Sequence, residues 1–130
     1  MSNKKRIFIA DDDETVLTSL KKLLLLSGFE VETAQRARDV MPKIKTFKPD
    51  LILLDLVMPN LGGMEICEML NQDEQTKGIP IIVVSGLSKL IDQKKAYQLG
   101  VIGYFTKPYD FDKLLKEINK AIAYKEGKSS

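Results

Sequence analysis

The chain has 130 residues, 44% of them hydrophobic, which is one domain's length with enough apolar content for one ordinary core. No apolar run approaches the length a bilayer requires, and the run after the polar start Met-Ser-Asn-Lys-Lys-Arg is too short for a signal peptide, so a cytoplasmic protein without a membrane span is expected. The absence of histidine excludes triad hydrolysis and imidazole metal sites, the lone Cys67 excludes an internal disulfide and points to a reducing compartment, and a net charge of +2 is too small to argue for nucleic acid.

Short apolar runs alternate with longer amphipathic stretches, five times over. Residues 7–10 predict the first strand. Val16, Leu17, Leu20, Leu23 and Leu24 then repeat at helical spacing, and Ser27-Gly28 supplies a stop. Residues 31–34 are mixed in polarity and predict an edge strand. Residues 37–47 are long enough for a second helix, although Pro42 inside it predicts a kink or a late start. Residues 51–54 predict the third strand, 63–70 a helix, 81–84 the fourth strand and 89–99 a helix. Tyr104-Phe105 marks a fifth strand. Phe111, Leu114, Leu115, Ile118 and Ile122 form the last helical stripe, with Asp110 as a candidate N-cap. The chain reads as one domain over residues 1–130, with a core at about 6–124 and a polar tail, 125–130, expected to fray.

Three of the runs are apolar on consecutive residues, as strands covered on both faces of a parallel sheet require. Five βα units joined by right-handed crossovers predict an α/β, flavodoxin-like, doubly wound sheet of order 2-1-3-4-5 with five helices. That order leaves a crevice at the carboxyl ends of strands 1 and 3. Strand 1 runs into Asp11-Asp12-Asp13-Glu14, strand 3 into Asp55, strand 4 into Ser85-Gly86, and strand 5 into Thr106-Lys107-Pro108. All carboxyl ends of a parallel sheet share one edge, so Asp11, Asp12, Asp55, Ser85 and Lys107 should converge there.

Carboxylates so placed repel: two charges about 4 Å apart cost roughly 4 kcal/mol at an effective dielectric near 20. Lys107 is expected to offset only one of them. The rest calls for raised carboxyl pKa values or a bound cation, and an all-oxygen site with few ligands favours Mg²⁺, or Mn²⁺, over Zn²⁺. Taken alone, Asp11–Asp13 also fits helix capping, with Asp13 as the cap, and Asp55 before Pro59 and Gly62-Gly63 also fits a turn former. Ser85 as a turn hydroxyl, Tyr104 as a half-buried aromatic and Lys107 as a surface lysine are each the blander alternative for a single residue.

Four pieces together resemble the receiver domain of two-component response regulators over essentially the whole chain. They are Ile9-Ala10-Asp11-Asp12-Asp13; Leu53-Leu54-Asp55-Leu56-Val57-Met58-Pro59 with Gly63; Val83-Val84-Ser85-Gly86; and Gly103-Tyr104-Phe105-Thr106-Lys107-Pro108. The resemblance implies a phosphoacceptor signalling domain, not an enzyme on a separate substrate, with Asp55 as the nucleophile taking a phosphoryl group from a phosphohistidine. It implies that Asp12, Asp55 and the backbone carbonyl of Val57 ligate Mg²⁺, that Asp11 acts mainly through water, and that Lys107, before a commonly cis proline, neutralises a phosphoryl oxygen. It makes Ser85 and Tyr104 a switch pair, the ring entering space that Ser85 vacates, and makes the face of helix 4, strand 5 and helix 5 the output surface. The implied partners are a sensor histidine kinase or phosphotransfer protein and an output protein that the sequence does not name. No DNA-binding domain is expected in this chain.

Two positions depart from the resemblance. Gly86 stands where a small residue with a side chain is usual, which predicts a looser loop, and Pro42 is unusual in the second helix. Three alternatives carry less. A flavin or nucleotide module of this topology would cradle phosphate with glycines, whereas the first loop here is acidic. A phosphatase of the aspartyl-phosphate type needs a second acid where Val57 stands. An interaction-only pseudo-receiver would normally lack a site residue, and none is lacking.

Overall fold

The computed structural model describes residues 4–59 and 62–127; the last three residues of the expected tail lie outside the described residues. In chain order the elements are β1 (Arg6–Ala10), α1 (Glu14–Leu26), β2 (Glu30–Ala34), α2 (Ala37–Phe47), β3 (Leu51–Leu54), α3 (Gly63–Gln72), β4 (Ile81–Ser85), α4 (Leu90–Gln98), β5 (Gly103–Thr106) and α5 (Phe111–Lys125). Four parallel pairings give the strand order β2-β1-β3-β4-β5, with β1 and β3 at the switch point of the winding.

Alternation along the buried strands sorts the core into two layers. Ile7, Ile9, Leu51, Leu53, Ile82 and Val84 point to one face, where Leu17, Leu20 and Leu24 of α1 and Leu114, Ile118 and Ile122 of α5 cover them. Phe8, Ala10, Ile52, Leu54 and Val83 point to the other, against Val40 and Ile44 of α2, Ile66 and Leu70 of α3 and Ala96 of α4. Strands apolar on every residue therefore follow from having helices on both sides. The edge strands β2 and β5 are only half-buried over most of their length, which is why their sequences are mixed.

Local chemistry fixes the ends. Asp13 caps α1 by accepting from the N–H groups of Thr15 and Val16, and Asp110 caps α5 through the Lys113 N–H. Gly28, at φ 96°, takes the left-handed conformation that ends α1 after the Ser27 C-cap. The expected late start of α2 is not found: the helix begins at Ala37 and runs through Pro42. Pro42 is exposed, so the carbonyl that loses its helical donor, on exposed Arg38, can turn to water. Among the described residues no helix is long and apolar enough to cross a membrane.

Candidate functional site

Ladder hydrogen bonds continue one residue past the strands and carry the polar residues to the carboxyl edge. The Asp11 N–H donates to the Ala34 carbonyl, the Asp55 N–H to Ala10, and the Lys107 N–H to Ser85, at 3.1, 2.9 and 2.8 Å. Asp11, Asp55 and Ser85 are all buried there, at 2%, 5% and 0% exposure, whereas Asp12 is exposed at the mouth.

Lys107 does more than the sequence predicts. Its Nζ lies 2.6 Å from Asp11 Oδ2 and 3.2 Å from Asp55 Oδ2, so one ammonium bridges two buried carboxylates instead of offsetting one. The remaining oxygens turn back on their own backbone. Asp11 Oδ1 accepts the Asp13 N–H at 2.9 Å, and Asp55 Oδ1 accepts the Val57 N–H at 3.0 Å. The Lys107–Pro108 bond is cis.

These contacts leave a charge imbalance. Burial, aided by the Asp55 charge, raises the Asp11 pKa above its ordinary value despite the opposing hydrogen bonds from Lys107 and the Asp13 N–H. For Lys107, burial works against the charged form, but Asp11 and Asp55 outweigh it and hold the ammonium above its usual value. Carboxylate oxygens of Asp11, Asp12 and Asp55 lie within 4.8 Å of one another. An all-oxygen, acid-rich set of this size fits a small hard cation, which would relieve the repulsion that one lysine leaves.

Ser85 and Tyr104 meet through a third residue. The Ser85 Oγ accepts the Leu87 N–H at 3.2 Å, while the Tyr104 hydroxyl donates to the Leu87 carbonyl at 2.7 Å. The Tyr104 ring is half-buried and packs against the α2–α3–α4 side of the core. Leu87 was expected to border the site, but its link between Ser85 and Tyr104 was not expected, and neither was the reason for Gly63. A Cβ on Gly63 would lie 2.5 Å from both the Asp55 carbonyl oxygen and the Leu56 Cα, so only glycine lets α3 start this close to the acceptor loop.

The Ser85-x-Leu87 turn could have been read from sequence. A hydroxyl or carboxylate at a strand end often binds the N–H two residues on, and Asp11, Asp55 and Ser85 all do so. Cys67 takes no part: it is buried in α3, and burial, with the charge of Glu68, pushes its thiol up to about 11.

A doubly wound α/β sheet carries an acidic crevice with a bridging lysine at its switch point. Residues 7–119 match the family model described as Response regulator receiver domain, and the chain belongs to that family. It is 36% identical over 118 residues to Protein PilH of Pseudomonas aeruginosa, covering 91% of this chain and 98% of that one. It is 37% identical over 105 residues to the alkaline phosphatase synthesis transcriptional regulatory protein PhoP of Bacillus subtilis, covering 81% of this chain but 43% of PhoP. The chain thus spans nearly all of one relative and less than half of the other. A crystal structure of a CheY-like response regulator receiver domain protein from Methanospirillum hungatei JF-1 superposes with a TM-score of 0.90 at 31% identity, covering 98% of this chain and 100% of that one. The chain is therefore a receiver domain of the response-regulator type, and the flavin or nucleotide alternative finds no support.

Proposed function

We propose that the chain takes a phosphoryl group on Asp55 from the phosphohistidine of a sensor kinase or phosphotransfer protein. The observation that carries this is the setting of Asp55: a buried carboxylate at the crevice, 3.2 Å from Lys107 Nζ and grouped with Asp11 and Asp12. A carboxylate oxygen of Asp55 attacks phosphorus, the P–N bond to the imidazole breaks, and its electron pair leaves with the nitrogen. The product is an acyl phosphate. Lys107 stabilises one phosphoryl oxygen, and the Ser85 hydroxyl, whose oxygen already accepts the Leu87 N–H, has its own proton to give to another. Asp11, Asp12, Asp55 and the Val57 carbonyl are the residues that would hold Mg²⁺ or Mn²⁺, which supplies charge neutralisation at the phosphoryl oxygens.

Output is assigned to the face formed by α4, β5 and α5. Tyr104 lies on β5 at its centre, Leu90, Ile91 and Tyr97 of α4 are exposed, and Lys89, Lys94, Lys95, Lys113 and Lys116 flank it, a composition that suits an acidic partner. Acetyl phosphate with Mg²⁺ should add one phosphoryl group by intact mass, and Asp55→Asn should abolish it. Labelling of Asp55→Asn at the wild-type rate would sink the proposal. Beryllofluoride should alter amide exchange in α4 and β5; changes confined to α1 and α2 would refute the output assignment.

A further inference from the structure

A second concavity lies at the opposite edge of the sheet from Asp55, where β4 and β5 begin. It has a volume of about 550 Å³, within the range of sites that hold ligand or side-chain groups. Its floor is apolar: Ile79 and Pro80 lead into β4, Ile102 leads into β5, and Tyr124 closes it from the last turn of α5. Ile102 and Tyr124 remain 49% and 74% exposed, although neither is needed outside to form the sheet or the helix. Its rim carries Lys77, Lys120 and Lys125 against one acid, Glu117. Lys77 contacts Glu74 at 2.9 Å and Lys120 lies 3.9 Å from Glu117, both solvent-exposed pairs worth little. No ion pair involves Lys125 among the described residues.

We infer that this groove is a docking site for an acidic peptide segment of a partner protein that inserts aliphatic or aromatic anchors. The three lysines supply complementarity to acids flanking the anchor, and the exposed Ile102 and Tyr124 supply apolar area for it. A second copy of this chain fits less well. A two-fold pairing of the face would bring together two rims that each carry three lysines to one acid. A nucleic acid backbone would find the lysines but gain nothing from the apolar floor.

The test is an amide-resolved NMR titration of the labelled chain with an eight-residue peptide, Leu-Phe at its centre and three acids on each side. One control replaces the acids by lysines, and another replaces Leu-Phe by serines. The expected result is shifts centred on Gly78, Gly100, Ile102 and Tyr124, weak or absent with either control, and falling with added salt. Lys120→Glu and Ile102→Ser, both at exposed positions, should each weaken binding about tenfold while leaving Asp55 labelling by acetyl phosphate unchanged. Shifts centred elsewhere, equal binding of either control, or unchanged affinity in both variants would overturn the inference. So would shifts of the same amides with protein concentration alone, with a dimer seen by sedimentation, which would make the groove a self-interface.

Discussion

Replacing Lys107 by methionine keeps the length of the side chain and removes the charge that bridges two buried acids. At 2.6 Å and 3.2 Å the two contacts correspond to about 6 and about 5 kcal/mol of gross attraction at an effective dielectric near 20. Most of that is offset by the desolvation that the ammonium no longer suffers. Stripping one partner from a buried pair costs about 3–5 kcal/mol, and here the 22% exposure of Lys107 and proton uptake by Asp11 bring the expected loss to about 2–4 kcal/mol at pH 7. The pH dependence follows from two signs. The Lys107 pKa is raised, so the stability from its charge is complete below the ordinary value and disappears as pH climbs through the folded one. The Asp11 pKa is also raised, so the folded state keeps that proton to higher pH than the unfolded chain, and ionising Asp11 costs stability as pH rises. In the variant only the Asp13 N–H still opposes that cost. The gap between wild type and variant should therefore be widest from neutral to mildly alkaline pH and should close in acid. Urea unfolding followed by circular dichroism, in EDTA, measures it. A loss under about 1 kcal/mol at pH 7, or a gap that persists undiminished at pH 4, would refute the bridging role.

Asp12→Ala should weaken Mg²⁺ and Mn²⁺ binding by calorimetry while Asp13→Ala, which removes only the α1 cap, should lower stability by about 1 kcal/mol and leave metal affinity nearly intact. Two glycine substitutions should move in opposite directions in the same unfolding assay. Gly63→Ala should cost about 1–3 kcal/mol or more by overpacking against Asp55 and Leu56, and Gly86→Ala, whose new Cβ meets nothing within 4 Å at an unstrained φ, should gain about 0.4–1 kcal/mol. The acyl phosphate should persist for many minutes after donor removal, because Val57 and Leu87 border the site without a side-chain group to orient water; Val57→Asn with Leu87→Glu should shorten its life, and equal decay rates would refute this.

The fold was legible because its signals are redundant. The consecutive apolar residues of β1, β3 and β4 demand cover on two faces, and helical stripes of the right length lie between them, so topology follows with few choices left. The site was legible because parallel strands deliver their carboxyl ends to one edge whatever their order in sequence. What escaped is three-dimensional spacing. Sequence cannot tell that Lys107 reaches Asp11 as well as Asp55, since that depends on the depth at which β5 ends beside β4. Nor can it tell that Gly63 is set by backbone 2.5 Å away, when the same residue also fits a turn. Pro42 does not delay the start of α2, for the converse reason: its penalty is real, but an exposed helix face lets solvent take up the freed carbonyl.

The same three turns give the proposed switch its physical form. Asp11, Asp55 and Ser85 each spend an oxygen on the N–H two residues downstream, which fixes the local shape of each of the three loops of the crevice. In the first two the acceptor is a carboxylate with a second oxygen, so other duties leave the turn intact. Ser85 has a single oxygen. A hydroxyl drawn towards a phosphoryl group on Asp55 weakens its hold on the Leu87 N–H, and the Leu87 carbonyl is what the Tyr104 hydroxyl binds. Movement at Ser85 therefore reaches Tyr104 through a single residue, Leu87, and Tyr104 stands on the face assigned to output. A conserved path of contacts is not required for this. The coupling needs only that the β4–α4 loop have two arrangements differing by a few kcal/mol, and that phosphorylation favour one of them.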